Sequence, residues 1–185
     1  MILDASKSQV LIVDMQEKLL PAMTDADRVV GRVRLLLAAA RGLNIPRAVS
    51  EQYPKGLGPT TGQLGDEIDG LPVLAKTHFS CARDPALAEL VHMRRESGCR
   101  QVVIAGIEAH VCVGQTVLDL LEQGFEVAVA ADATASRRRQ DCDLALARFA
   151  AAGACVTTAE AVVFEWLERA DTTHFKALSA LIKPL

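Results

Sequence analysis

Three side chains in this 185-residue sequence could do chemistry together: Asp14, Lys76 and Cys112. Asp14 closes the apolar run Gln9-Val10-Leu11-Ile12-Val13, and Lys76 closes Pro72-Val73-Leu74-Ala75. Cys112 lies in Gly106-Ile107-Glu108-Ala109-His110-Val111-Cys112-Val113, between the apolar run Gln101-Val102-Val103-Ile104-Ala105 and a helical pattern that starts at Gly114. A carboxylate there can take a thiol proton, and an ammonium can stabilise both carboxylate and thiolate. In the first turn of a helix, unpaired N–H groups and the positive end of the dipole favour a thiolate and could hold an oxyanion. The plain alternative for Cys112 is a small apolar residue packed on a sheet.

These groups have meaning only if the chain brings them to one place. Continuous apolar runs of strand length predict buried parallel strands at 9–13, 47–50, 72–75, 101–105, 125–130 and 154–156. Between them lie helical patterns at about 28–41, 84–96, 114–121 and 140–152. Asp27 is the expected cap of the first, and the Asp84-Pro85 pair opens the second. A helix opened by Thr158-Ala159-Glu160 carries Phe164 and Trp166, and a last amphipathic helix carries Phe175, Leu178, Leu181 and Ile182. Residues 132–136 read as a crossover loop. Residues 51–71, with five glycines and two prolines, read as a lid or pocket wall. Alternating strands and helices over the whole of 1–185 define one α/β domain with a mainly parallel sheet. In such sheets ligands bind beyond the carboxyl ends of the strands, which is where Asp14, Lys76 and Cys112 all fall.

The totals exclude several classes. A net charge of −3 and only 4% aromatic residues offer neither a basic surface nor a stacking platform, so nucleic acid is not an expected partner. No apolar run is long enough to cross a membrane, and the start of the chain lacks the apolar core of a signal peptide. Five cysteines with no C-x-x-C pair suit free thiols in a reducing, cytoplasmic setting.

Asp14 in Val-Asp-Met-Gln, Lys76 in Ala-Lys-Thr-His-Phe-Ser, and Gly-Ile-Glu-Ala-His-Val-Cys-Val resemble the isochorismatase-like cysteine hydrolases in order and spacing, over nearly the whole chain. The resemblance implies a Rossmann-like three-layer α/β/α sandwich around a six-stranded sheet in the order 3-2-1-4-5-6. It implies that Asp14 is the general base, Cys112 the nucleophile and Lys76 the fixed charge. It further implies a cis peptide at Ile107–Glu108 and an oxyanion hole from the N–H groups of Glu108 and Cys112. The reaction implied is hydrolysis of an amide-like C–N bond in a small molecule, through a thioester. Similar proteins are homo-oligomers, so a dimer or tetramer is expected. The assumed order leaves about two strand spacings of ~4.8 Å between Asp14 and Lys76, which only a long side chain can close.

Departures narrow the reaction. Ser50-Glu51-Gln52-Tyr53-Pro54 lacks the Asp-x-His pair with which nicotinamidases of this family bind metal, so no metal and no cofactor are expected. Cys112 argues against vinyl-ether cleavage of the kind isochorismatases perform without such a nucleophile. The stretch Glu51-Gln52-Tyr53-Pro54-Lys55-Gly56-Leu57-Gly58 resembles the isochorismatase-domain-containing subgroup, for which no substrate follows.

Gln16, Tyr53 and Phe79 are the expected substrate contacts, each with a structural alternative in loop or lid packing. His78 and His110 flank the site, and His110 is expected to shape the turn. Thr134 and Ser136 are expected near its mouth. Arg137-Arg138-Arg139 is read as a solvated face, and Cys81, Cys99, Cys142 and Cys155 as structural. Two rivals to the hydrolase reading are weighed. One is a catalytically silent small-molecule-binding or scaffold protein. The other is a phosphoacceptor receiver domain, which needs an aspartate after the third strand and a lysine after the fifth; here Lys76 and Asp132 stand the other way round.

Overall fold

The computed structural model describes residues 1–182. Six strands form one parallel sheet: β1 (Ser8–Val13), β2 (Arg47–Gln52), β3 (Val73–Lys76), β4 (Gln101–Ile107), β5 (Glu126–Ala135) and β6 (Cys155–Thr157), in the order β3-β2-β1-β4-β5-β6. Among the described residues seven α-helices accompany them: α1 (Ala26–Gly42), α2 (Pro54–Leu57), α3 (Pro85–Glu96), α4 (Gly114–Glu122), α5 (Arg139–Ala151), α6 (Ala159–Leu167) and α7 (Thr173–Ile182).

The period of two along each strand explains the layers. Val10 and Ile12, Val103 and Ala105, and Ala128 and Ala130 point to one face, where Val33 and Leu36 of α1 and Val162 and Trp166 of α6 cover them. Leu11 and Val13, Val102 and Ile104, and Val127 and Val129 point to the other, against Leu87 of α3, Val117 and Leu120 of α4, and Phe149 of α5. Both faces are therefore dry, which is why the central strands read as unbroken apolar runs. Leu178 of α7 is buried against the same core as α1, while Leu181 is exposed.

Three local differences from the sequence reading have physical causes. Strand β5 continues to Ala135 instead of ending before a loop at 132, because a register shift between Ile104 and Gly106 lets Thr134 and Ala135 pair with Gly106 and Ile107. Helix α1 starts at Ala26 after Asp25, whose backbone is left-handed (φ 53°) and whose side chain makes no cap; Asp27 falls inside the first turn instead. Residues 51–71 are anchored. Thr61 N–H donates to the Met15 carbonyl at 2.7 Å, Glu51 Oε1 accepts from both Thr60 N–H and Oγ1, and Leu64 is fully buried in the core.

Gly106 sits where β4 closes on β1. Its φ is +115°, and a Cβ there would lie 2.1 Å from the Val13 carbonyl oxygen. Only glycine allows this approach, and the approach sets the turn before Cys112 beside the end of β1.

Candidate active site

The sheet reverses direction of winding at β1, between β2 and β4, and the open crevice of such a sheet lies there. Asp14 is the first residue past β1. Its backbone is left-handed (φ 52°), a conformation that aspartate tolerates better than most residues. The carboxylate turns inward and is fully buried, as is the Lys76 side chain, and Lys76 Nζ meets Asp14 Oδ2 at 2.8 Å. The lysine spans β2 to do so. Its other two ammonium hydrogens go to Gln52 Oε1 at 2.7 Å and to the Phe79 carbonyl at 3.0 Å.

Strand β2 fills the gap between the charges with polar groups that sequence reasoning missed. Ser50 Oγ donates to Asp14 Oδ1 at 2.7 Å. Gln52 Nε2 donates to the Thr77 carbonyl at 2.9 Å, and the Cys112 thiol faces Gln52 Oε1 at 3.9 Å. The available signal was the i, i+2 spacing of Ser50 and Gln52, which continues the strand on one face instead of starting a loop.

Cys112 lies in a π-helical turn, Ala109–Val113, that leads into α4, and the peptide before that turn, Ile107–Glu108, is cis. Cys112 is buried. Burial and then the neighbouring Asp14 carboxylate push its thiol well above the usual cysteine range, and the Lys76 charge does not offset them. The position at a helix start therefore does not decide the acidity of this residue; desolvation does. Burial pulls Lys76 down, but the Asp14 charge and hydrogen bond, together with the neighbouring Cys81 and Cys112, outweigh it, and the ammonium ends above its ordinary value.

Cys81, read from the sequence as structural, also belongs to this neighbourhood. Its Sγ lies 3.5 Å from Ser50 Oγ, and burial followed by the Asp14 charge raises its pKa to about 11.

The other expected residues fall at different distances from the chemistry. Gln16 is fully buried, but its carboxamide is taken up by the backbone: Nε2 donates to the carbonyls of Gln52 and Gly58, and Oε1 accepts from Gln52 N–H. It splices β1 to β2 and has no hydrogen left for a substrate. Tyr53 is exposed and borders a surface cavity of about 340 Å³ beside β3, together with Lys55, Thr77 and Asp84. The Phe79 ring is exposed while its carbonyl holds Lys76. Glu108 Oε2 accepts from the N–H and Nε of Arg137, so this arginine is tied to the cysteine turn and is not simply solvated. His110 Nδ1 pairs with Ser136 Oγ at 2.9 Å, Thr134 Oγ1 bonds back to the Ala130 carbonyl, and exposed His78 approaches Asp84.

One parallel sheet of six strands with helices on both faces defines a Rossmann-like α/β protein, with a buried carboxylate–ammonium pair at its winding reversal. The family model for the isochorismatase domain matches residues 8–161, and the chain belongs to that family. It is 40% identical over 180 residues to isochorismatase domain-containing protein 2 of Danio rerio, covering 97% of this chain and 89% of that one. Among solved structures, it superposes on MAR1 ribonuclease from Caenorhabditis elegans with a TM-score of 0.91 at 36% identity, covering 99% and 93% of the two chains. It superposes on the YcaC gene product of Escherichia coli, described as an octameric hydrolase of unknown specificity, with a TM-score of 0.90 at 26% identity, covering 99% and 91%. Fold and family support a hydrolase at the general level. Among the described residues, no helix is long and apolar enough to cross a membrane.

Proposed function

We propose that this protein is a cysteine hydrolase that cleaves an amide-like C–N bond of a small molecule, with Asp14, Lys76 and Cys112 as its catalytic group. The observation that carries the reading is the fully buried Asp14–Lys76 pair at 2.8 Å beside the buried Cys112 thiol. A buried charge pair is costly to build, and it is more economically explained by chemistry than by stability.

In the proposed reaction the Cys112 proton passes to Asp14 as sulfur attacks the carbonyl carbon. The N–H groups of Glu108 and Cys112 receive the oxyanion. The C–N bond breaks, nitrogen leaves with the proton from Asp14, and a thioester remains. Water then attacks it, giving one proton to Asp14. The C–S bond breaks, the acid departs and the proton returns to sulfur. Lys76 balances the charge of Asp14 and positions its carboxylate. At the end of β2, where metal-binding relatives of the resembling family carry Asp-x-His, Ser50 and Gln52 are committed to Asp14 and Lys76, so the reading includes no metal or other cofactor.

The octameric neighbour supports self-association, and we include a homo-oligomer, dimer or tetramer, in the proposal. Five free cysteines suit a cytoplasmic protein. The name of the Caenorhabditis neighbour suggests RNA cleavage; a net charge of −3 favours a small molecule instead.

The test is intact-protein mass spectrometry after exposure to small amides, ureido compounds and aldehydes, with Cys112→Ala as control and an RNA-cleavage assay alongside. An acyl adduct that requires Cys112 is expected. Full turnover in Cys112→Ala or Asp14→Asn would overturn the mechanism. A Cys112 that forms no adduct and reacts no faster than the other cysteines would favour a catalytically silent binding protein.

A further inference from the structure

Gln52 is held more tightly than a wall residue needs to be. Its N–H and carbonyl are both bound by the Gln16 carboxamide, which fixes the backbone. Its Nε2 donates to the Thr77 carbonyl at 2.9 Å, which fixes the amide orientation. The flipped amide would set an NH₂ group against the Lys76 ammonium, two donors face to face. So Oε1 is aimed at Lys76 Nζ, at 2.7 Å, and at Cys112 Sγ, at 3.9 Å.

We propose that Gln52 is a positioning residue that adds to burial in setting the acidity of Cys112: its carboxamide oxygen, shared by the Lys76 ammonium and the Cys112 thiol, helps keep the proton on sulfur until substrate displaces that contact. Two features of the geometry support this. Asp14, Gln52 and Phe79 take all three hydrogens of Lys76, so none is left to donate to a thiolate. A thiolate would also meet a lone pair of Oε1 where a thiol presents a hydrogen. The charged and titratable groups that face Cys112 are Asp14 beyond β1, Lys76 at the end of β3 and Cys81 in the turn before α3. Gln52 is the neutral group among them that touches both the ammonium and the sulfur.

The proposal rests on the reading of Cys112 as nucleophile only for its catalytic meaning, so its test reads acidity and not turnover. The rate of Cys112 alkylation by iodoacetamide is followed against pH on the full chain, by peptide mass spectrometry, for the native protein, Gln52→Met and Gln52→Glu. Gln52→Met frees one ammonium hydrogen for sulfur. Its profile is expected to move to lower pH, with alkylation at pH 8 about tenfold faster, equivalent to roughly one pK unit. Gln52→Glu places a carboxylate there, and its profile is expected to move to higher pH with about tenfold slower alkylation. Gln52→Asn keeps the amide but withdraws the oxygen, and is expected to follow Gln52→Met; it carries the test if the glutamate variant does not fold. Loss of packing alone would move all variants the same way. Shifts of Gln52→Met and Gln52→Glu in one direction, a Gln52→Asn profile that moves to higher pH, or profiles that superimpose on the native one, would overturn the proposal. Retained turnover in Cys112→Ala would instead overturn the proposed function and leave this result standing.

Discussion

Ser50 Oγ donates to one oxygen of the Asp14 carboxylate at 2.7 Å while Lys76 holds the other at 2.8 Å. Both oxygens of the proposed base are thus oriented by groups from two neighbouring strands. Ser50→Ala removes a buried hydrogen bond to a charged acceptor, worth about 1.5–3 kcal/mol. The expected outcome is a fall of that size in urea-unfolding free energy, and a fall of about tenfold in kcat, if Asp14 orientation limits the chemistry.

Lys76→Met leaves the Asp14 charge buried without its partner and is expected to cost about 3–5 kcal/mol. The double variant Asp14→Asn/Lys76→Met removes both charges and is expected to recover part of that loss. A double-mutant cycle from urea midpoints measures the coupling. Strictly additive losses would show that the pair is not coupled in the folded state.

Alkaline pH should weaken the fold through its buried thiols. Cys81 has its pKa raised to about 11, from an ordinary 9.0, by burial and by Asp14. The folded state therefore binds more protons than the unfolded state between these values, and stability falls as pH rises through them. Burial and Asp14 shift Cys112 in the same direction. Urea titrations from pH 8 to pH 11 are expected to show a slope of up to about −1.4 kcal/mol per pH unit from each thiol. The slope is expected to shrink in Cys81→Ala.

Gly106→Ala is expected to yield insoluble protein or a loss of several kcal/mol, because its φ is +115° and its Cβ would meet the Val13 carbonyl oxygen at 2.1 Å. Soluble expression with a native unfolding midpoint would show that β4 and β1 can separate there. Tyr53→Ala, at the cavity rim, is expected to raise KM while leaving stability within about 0.5 kcal/mol, which a pair of kinetic and unfolding measurements separates.

Much of the architecture was legible because both faces of the central strands are dry. Runs such as Val10-Leu11-Ile12-Val13 announce β1 without any help from periodicity. The end of β5 was not legible, because Asp132 and Thr134 are polar and their pairing depends on a register shift in the neighbouring strand. At the site, Asp14, Lys76 and Cys112 could be picked out as strand-end groups. Gln52 could not, because the prolines and glycines from Pro54 onward make its stretch look like a loop, and Ser50, read as the end of a strand, carried no sign of its partner. The burial that raises the Cys112 pKa was not legible, for a different reason. Helix position is written in the chain, whereas desolvation depends on what the whole fold piles around the sulfur.

Strand β3 is the outermost of the sheet on its side, only four residues long, paired along one edge alone, with Val73 and Ala75 exposed. The lysine that neutralises Asp14 is its last residue. The most charge-sensitive part of the crevice therefore hangs from a short edge strand that is prone to fray. Brief detachment of these residues would carry the ammonium away and admit water to the carboxylate, with the remaining strands still assembled. Amide exchange in β3 would then run ahead of exchange in β1 and β4, and warming would silence the site at temperatures where the bulk of the molecule has not yet melted.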